Sequence, residues 1–289
     1  MAVQQLNEAI YNKDINIVRS ILNNKTLDFE DDVVYPLLLA IEVGYQPVIN
    51  LLLSHPNINI YYEIMETAQN PMERCCRFNN FVTAERLLMM GFDPNYKDYY
   101  NCSLTHNAIR NNNIPFVELL VRYGATIDFN DILYYVRSNE PNDQHFEYLI
   151  LNSLPDGEVM EKLVKFIVIA SYLTLFNILD RHYHIMVKIV SQTIDLEELI
   201  EFGMFEMLER LLLFGLPITI DLLKYVIPTY ANRDEESSLL MASLLLDYLQ
   251  PDVDNLLPII NLAKDHGYDK LVKMLENYQP LPIIKGAII

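Results

Sequence analysis

The sequence predicts an all-α fold in which about nine helical hairpins of similar size stack one on the next. Two observations carry that expectation. Apolar residues recur at helical rather than alternating spacing along nearly the whole chain. The second helix of each expected hairpin also aligns on one apolar anchor, five positions after a polar break. These anchors are Val18, Ile49, Ala84, Val117, Phe146, Phe176, Leu208, Met241 and Val272, at intervals of 29 to 35 residues. A lone hairpin cannot bury its own apolar faces, whereas a stack joins those faces into a continuous core.

The units follow in order. The first, LNEAIYNKDINIVRSILNN, places Ala9 in its first helix. The second, YPLLLAIEVGYQPVINLLLSHPNIN, places Ala40 there and opens on Pro36, which suits a first helical turn because that amide needs no partner. The third, CCRFNNFVTAERLLMMGFDPN, puts Cys75 at the same place, and the fourth puts Ala108 there. The pattern then loosens. DILYYVRSNEPNDQHFEYLILNS has a longer polar break, and EKLVKFIVIASYLTLFNILDRHY follows it. DLEELIEFGMFEMLERLLLFGLPI recovers Gly203 and Gly215, and the eighth unit, from Asp221 to Leu249, carries a polar insertion. LLPIINLAKDHGYDKLVKMLENY restores Ala263 and Gly267. Small residues at Ala9, Ala40, Cys75, Ala108 and Ala263 should let helices approach closely. With only 8 glycines in 289 residues, Asn, Ser or Lys is expected at several turns.

The clearest unit runs from Glu85 to Thr126. An apolar helix end stops at Gly91, Asp93-Pro94-Asn95 makes a turn, and a polar-aromatic loop runs from Tyr96 to Asn101. Ser-Leu-Thr-His-Asn-Ala-Ile, from Ser103 to Ile109, then opens a short helix in which Ser103 can act as the cap. A break at Asn111 to Asn113 leads into PFVELLVRY, which ends at Gly124-Ala125. This unit resembles an ankyrin repeat, whose consensus carries T-P-L-H-x-A-A, an aliphatic second helix and a Gly-Ala end. The resemblance implies an ankyrin-repeat solenoid forming a single array over residues 1–289, near-consensus in 1–130 and degenerate in 131–289. It also implies short β-turn fingers between repeats, strongest at Asp93 to Asn101, with a second at Asn57 to Tyr62 and a weak one at Thr126 to Asn130. His106 would hydrogen-bond neighbouring loops rather than do chemistry.

Hydrophobic residues make up 51% of the chain and charged residues 21%, enough apolar surface for a core. Net charge is −18; residues 1–125 contribute −5 and residues 126–289 contribute −13. That balance argues against a phosphate backbone or an anionic membrane as partner and favours a basic protein, or simply solvated acidic helix faces. The first residues lack a signal-peptide pattern, and the most apolar window, Leu163 to Leu179, is too short and polar to span a bilayer. A cytoplasmic protein is expected.

Candidate chemistry is sparse. His182-x-His184 lacks further ligands at metal-site spacing, and Cys75-Cys76 reads as a pair of buried thiols. No phosphate-binding, nucleophile-elbow or zinc-protease motif occurs. No cofactor and no metal are expected, and a hidden enzyme in residues 126–289 stays a lesser alternative. The candidate partner-binding residues are Tyr61, Tyr62, Tyr96, Asp98, Tyr99, Tyr100 and Asn101, because tyrosine brings area and a hydroxyl at low entropy cost. A secondary acidic patch comprises Glu197, Glu198 and Glu201 and would suit a basic partner. Degenerate repeats in an AT-rich style resemble ankyrin proteins of large DNA viruses or intracellular bacteria. That resemblance implies a scaffold that sequesters a host signalling or ubiquitin-pathway protein; the tail ENYQPLPIIKGAII has only a Leu-Pro start toward an F-box-like segment.

Overall fold

The computed structural model describes residues 2–29, 34–65, 67–138, 141–153, 156–183, 195–227 and 235–280. Among them all regular structure is helical, with β pairing confined to isolated bridges. The chain divides into two compact units, Met1–Asp156 and Gly157–Ile289.

The first unit contains five hairpins. They are α1 (Ala2–Tyr11) with α2 (Ile15–Leu22), α3 (Pro36–Val43) with α4 (Gln46–Leu52), and α5 (Pro71–Arg77) with α6 (Phe81–Met89). Then come α7 (Leu104–Arg110) with α8 (Ile114–Arg122), and α9 (Phe129–Ser138) with α10 (Asp143–Leu151). The second unit pairs α11 (Gly157–Ile169) with α12 (Leu173–Tyr183) and α13 (Leu196–Glu201) with α14 (Phe205–Leu213). A 3₁₀ helix at Ile220–Val226 precedes α15 (Glu235–Leu249), and α16 (Leu257–Asp265) pairs with α17 (Asp269–Glu276).

Seven of the described turns inside hairpins share one feature. A residue of positive φ ends the first helix at Lys13, Gly44, Asn79, Asn112, Ser171, Gly203 and Gly267. At all of these except Gly44, the next amide then reaches back over the helix end. Asp14 N–H donates to Ala9 O, Asn80 N–H to Cys75 O, Asn113 N–H to Ala108 O and Tyr268 N–H to Ala263 O, each at 2.9 Å. This is the bonding of a left-handed helix stop, and it closes orphan carbonyls that would otherwise face the neighbouring turn. The residue after the turn starts the second helix; Asp14, Asn80 and Asn113 do so by accepting backbone N–H groups on their side-chain oxygens. Lys, Asn and Ser therefore occupy turns where glycine was scarce.

Five residues after each of these seven positive-φ positions lies an anchor, and Phe146 and Met241 are the anchors of the other two units. Val18, Ile49, Ala84, Val117, Phe146, Phe176 and Leu208 are 0% exposed, Met241 is 1% and Val272 7%. The small residues Ala40, Cys75, Ala108 and Ala263 are likewise fully buried. Ala108→Leu should overpack its seam by roughly 1–3 kcal/mol, which a lowered urea midpoint at unchanged slope would report.

The eighth unit departs from the expected α-helical hairpin. Its first helix is 3₁₀, and Ile227 at its end is extended (φ −95°, ψ 97°). Pro228 follows, and a proline disfavours the α conformation in the residue before it. Thr219 before the helix makes no side-chain cap.

The fingers are single bridged turns. The strongest pairs Lys97 with Ser103. The second is displaced from Asn57–Tyr62, with its bridge between Ile64 and Gln69. The Tyr35 hydroxyl explains the shift: it donates to Asn59 O at 2.9 Å and accepts from Asn59 N–H at 2.6 Å, holding that stretch down against α3. At Thr126 to Asn130 no separate finger forms. Ile127 bridges to Ser153 in parallel, and Asp128 accepts Asn130 N–H at 2.8 Å at the start of α9.

Candidate functional site

The finger between α6 and α7 is built from its turn chemistry. Asp98 starts the tip: Oδ1 accepts the N–H groups of Tyr100 and Cys102, each at 2.9 Å, and Oδ2 accepts Asn107 Nδ2 at 3.1 Å. Asn101 takes the left-handed position (φ 62°) and donates its N–H to Asp98 O at 2.8 Å. Asp and Asn suit these places because the one bonds the turn's amides and the other tolerates positive φ.

A second carboxylate ties this finger to the one before it. Glu63 Oε2 accepts from the Tyr96 hydroxyl at 2.8 Å, and Oε1 accepts Tyr99 N–H at 2.7 Å. Burial and that hydrogen bond hold the Tyr96 phenol in its neutral form, pushing it up to about 12. Glu63 was not among the residues singled out in the sequence; its isolated position gives no local signal.

The five tyrosines separate into two groups. Tyr61 stacks on buried Phe92 at 4.5 Å, donates its hydroxyl to Gly91 O and accepts Asp93 N–H, both at 2.9 Å. Tyr62 stacks on buried Tyr35 at 4.0 Å, and Tyr96 meets Phe92 edge-on at 5.5 Å. These three rings pack between successive loops. Tyr99 and Tyr100 lie at the tip, 62% and 59% exposed, edge to face at 5.5 Å.

Beside the finger runs a groove of about 550 Å³ that includes Lys97, Cys102, His106, Asp128, Asp131 and Asp156. His106 donates from Nδ1 to Asp131 Oδ1 at 2.7 Å, joining the fourth hairpin to the fifth. Burial raises the Asp131 carboxyl, and the bond from His106 opposes that.

On the α5 side, Glu73 is pushed from 4.5 up to about 7 by burial, then by the nearby charges of Asp98 and Glu63, against the pull of Arg74 and Arg77. Between those two values the folded protein holds a proton that the unfolded chain has released. Stability should therefore fall as pH rises from about 4.5 to about 7 and level off above. Glu73→Gln should flatten that segment of a stability-versus-pH curve, and an unflattened curve would discard Glu73 as its cause.

Other candidates are placed as follows. Cys75 and Cys76 are buried, and burial pushes their thiols up, Cys76 to about 12, which removes the reactive thiolate. Glu197, Glu198 and Glu201 lie on α13, all half-buried, with Glu197 engaged by the Tyr225 hydroxyl. His184 and residues 281–289 of the tail fall outside the described residues. Among the described residues no three metal-ligating side chains gather, and no helix is long and apolar enough to cross a membrane.

No curated protein matches the chain. A family model described as ankyrin repeats (3 copies) matches residues 6–98, a span that runs from within α1 through the third hairpin and includes both carboxylates of the finger, Glu63 and Asp98. Over that span the chain is similar to ankyrin repeats, and the fold is all-α, built from repeated helical hairpins.

Proposed function

We propose that the chain is a non-enzymatic scaffold that docks a protein partner on the Asp93–Ser103 finger, anchored by Tyr99 and Tyr100. The tip itself carries the reading: two large aromatic side chains stand mostly in solvent on a turn whose backbone two carboxylates tie down. Aromatic area on prearranged backbone binds with little ordering cost. Ankyrin repeats generally mediate protein–protein interaction, which supports the same class of function. In this reading Tyr61, Tyr62, Tyr96, Asp98 and Asn101 hold the tip in shape behind the two anchors. The finer form of the proposal is a host signalling or ubiquitin-pathway protein as partner, met in the cytoplasm and sequestered there.

A second reading uses the acidic patch Glu197, Glu198 and Glu201 for a basic partner, favoured by the net charge of −13 over residues 126–289. A photo-crosslinking side chain placed at position 99 or at position 198 separates the two. Crosslinks from 99 alone support the finger; crosslinks from 198 alone, lost with added salt, transfer the site to α13.

A further inference from the structure

The groove of about 550 Å³ beside the finger shares residues with the finger itself: Lys97, Asn101 and Cys102 contribute to its lining. The rest comes from the start of α7, from the stretch Thr126 to Asp131 and from Asp156. Three of its charged side chains are exposed and open to an incoming group: Lys97, Asp128 and Asp156. The third aspartate, Asp131, is buried and already bonded to His106. Asp128 is held in place, because its Oδ1 accepts the N–H of Asn130 at 2.8 Å and its Nδ2 at 3.0 Å. Lys97 makes no ion pair among the described residues.

The chemistry of an occupant follows by elimination. A carboxylate or phosphate would meet more negative than positive charge, since Asp128 and Asp156 stand against Lys97 once Asp131 is paired with His106. A metal ion lacks a ligand set, because among the described residues no three ligating side chains gather. An apolar side chain would strip water from exposed carboxylates and return no hydrogen bond. A cationic side chain meets none of these objections. Between the two candidates, a guanidinium is the less strongly hydrated and offers several N–H donors in a planar fork that matches a fixed carboxylate. We propose that this groove receives an arginine side chain of the docked partner, its guanidinium donating to Asp128 while Asp156 supplies a second negative charge. The proposal rests on the docking reading above, since a chain laid over Tyr99 and Tyr100 continues past Asn101 and Cys102 into the groove. The net charge of −18 would draw such a basic segment toward the protein from a distance.

The test is a magnetic-resonance titration of the full chain with assigned backbone amides. The probes are capped tripeptides Gly-Xaa-Gly in which Xaa is arginine, lysine, citrulline or glutamate, in about 0.15 M salt to screen loose attraction. Expected is a saturable shift at the amides of Asp128 and Asn130 with arginine, a weaker one with lysine, and none there with citrulline or glutamate. Citrulline keeps the shape of arginine and lacks its charge. Asp128→Asn/Asp156→Asn should weaken the arginine peptide by about fivefold, the effect of two exposed ion pairs. Asparagine at 128 keeps an oxygen for the Asn130 amides, so the start of α9 survives. Lys97→Gln should tighten the same peptide by about twofold, a gain that a damaged fold would not produce. An equal shift with citrulline, a stronger one with glutamate, or indifference to the double asparagine variant would overturn the inference. So would shifts as large at Glu197 and Glu198 as at Asp128, which would mark general attraction to acidic surface. Tyr99→Ala/Tyr100→Ala should bind the arginine peptide as the unmodified chain does. A failed titration therefore removes the arginine groove and leaves the finger reading to its own crosslinking test.

Discussion

Tyr99→Ala/Tyr100→Ala should abolish partner capture and leave the unfolding midpoint nearly unchanged. The two rings are 62% and 59% exposed, so their removal takes little apolar area out of the folded state. The turn survives because its bonds run through the backbone N–H groups of Tyr99, Tyr100 and Cys102 to Glu63 and Asp98, and alanine keeps the two tyrosine amides. Interface anchors of this type cost about 2 kcal/mol or more each on truncation, so the pair would lower affinity by roughly a thousandfold if additive. Tyr61→Ala should do the reverse, because it loses the stack on Phe92 and the hydroxyl that joins Gly91 to Asp93. That change should destabilise the chain by about 3 kcal/mol and weaken capture only through the distorted finger. Charge reversal at Glu197, Glu198 and Glu201 should have the smaller effect on capture, shrinking with salt. If capture survives the tip variant and fails with charge reversal, the finger is not the docking surface.

Phe146→Ala should cost about 3–5 kcal/mol of stability. Phe146 is the anchor of the fifth hairpin and 0% exposed. Asn142, capping α10, donates its own N–H to the Tyr135 hydroxyl at 3.0 Å and fixes where the second helix begins. The ring therefore cannot be replaced by a small shift of the helix. Urea unfolding of the two proteins measures the difference, and a loss below about 1 kcal/mol would mean that the site collapses around alanine without a cavity.

The anchors were legible because a helical hairpin of constant length repeats the same burial at the same offset, so position alone marked Val18 through Val272. Turn residues followed from the same register. The separation of the tyrosines was not legible. Tyr61 meets Phe92 and Glu63 meets Tyr96 across about one repeat of sequence, and only stacking of adjacent loops decides which rings those contacts cover. Nothing local distinguishes Tyr96, held by Glu63, from Tyr99 three positions later. The 3₁₀ start of the eighth unit does have a local sign in Pro228, although Leu222, Leu223 and Val226 keep the apolar spacing of a helix.

The paired asparagines at two of the turns bear on how such a chain can change length. Asn79-Asn80 and Asn112-Asn113 carry the same two residues in the same two roles, a positive-φ stop and a side-chain cap. Splicing Asn79 directly to Asn113 would recreate the identical junction while removing residues 80–112, one whole period. The surviving first helix would still end on Cys75 O, and the surviving second helix would still place Val117 five residues beyond the stop. Genetic loss or duplication between these points thus meets a ready-made seam, and a family of longer and shorter chains is reachable without inventing a new turn.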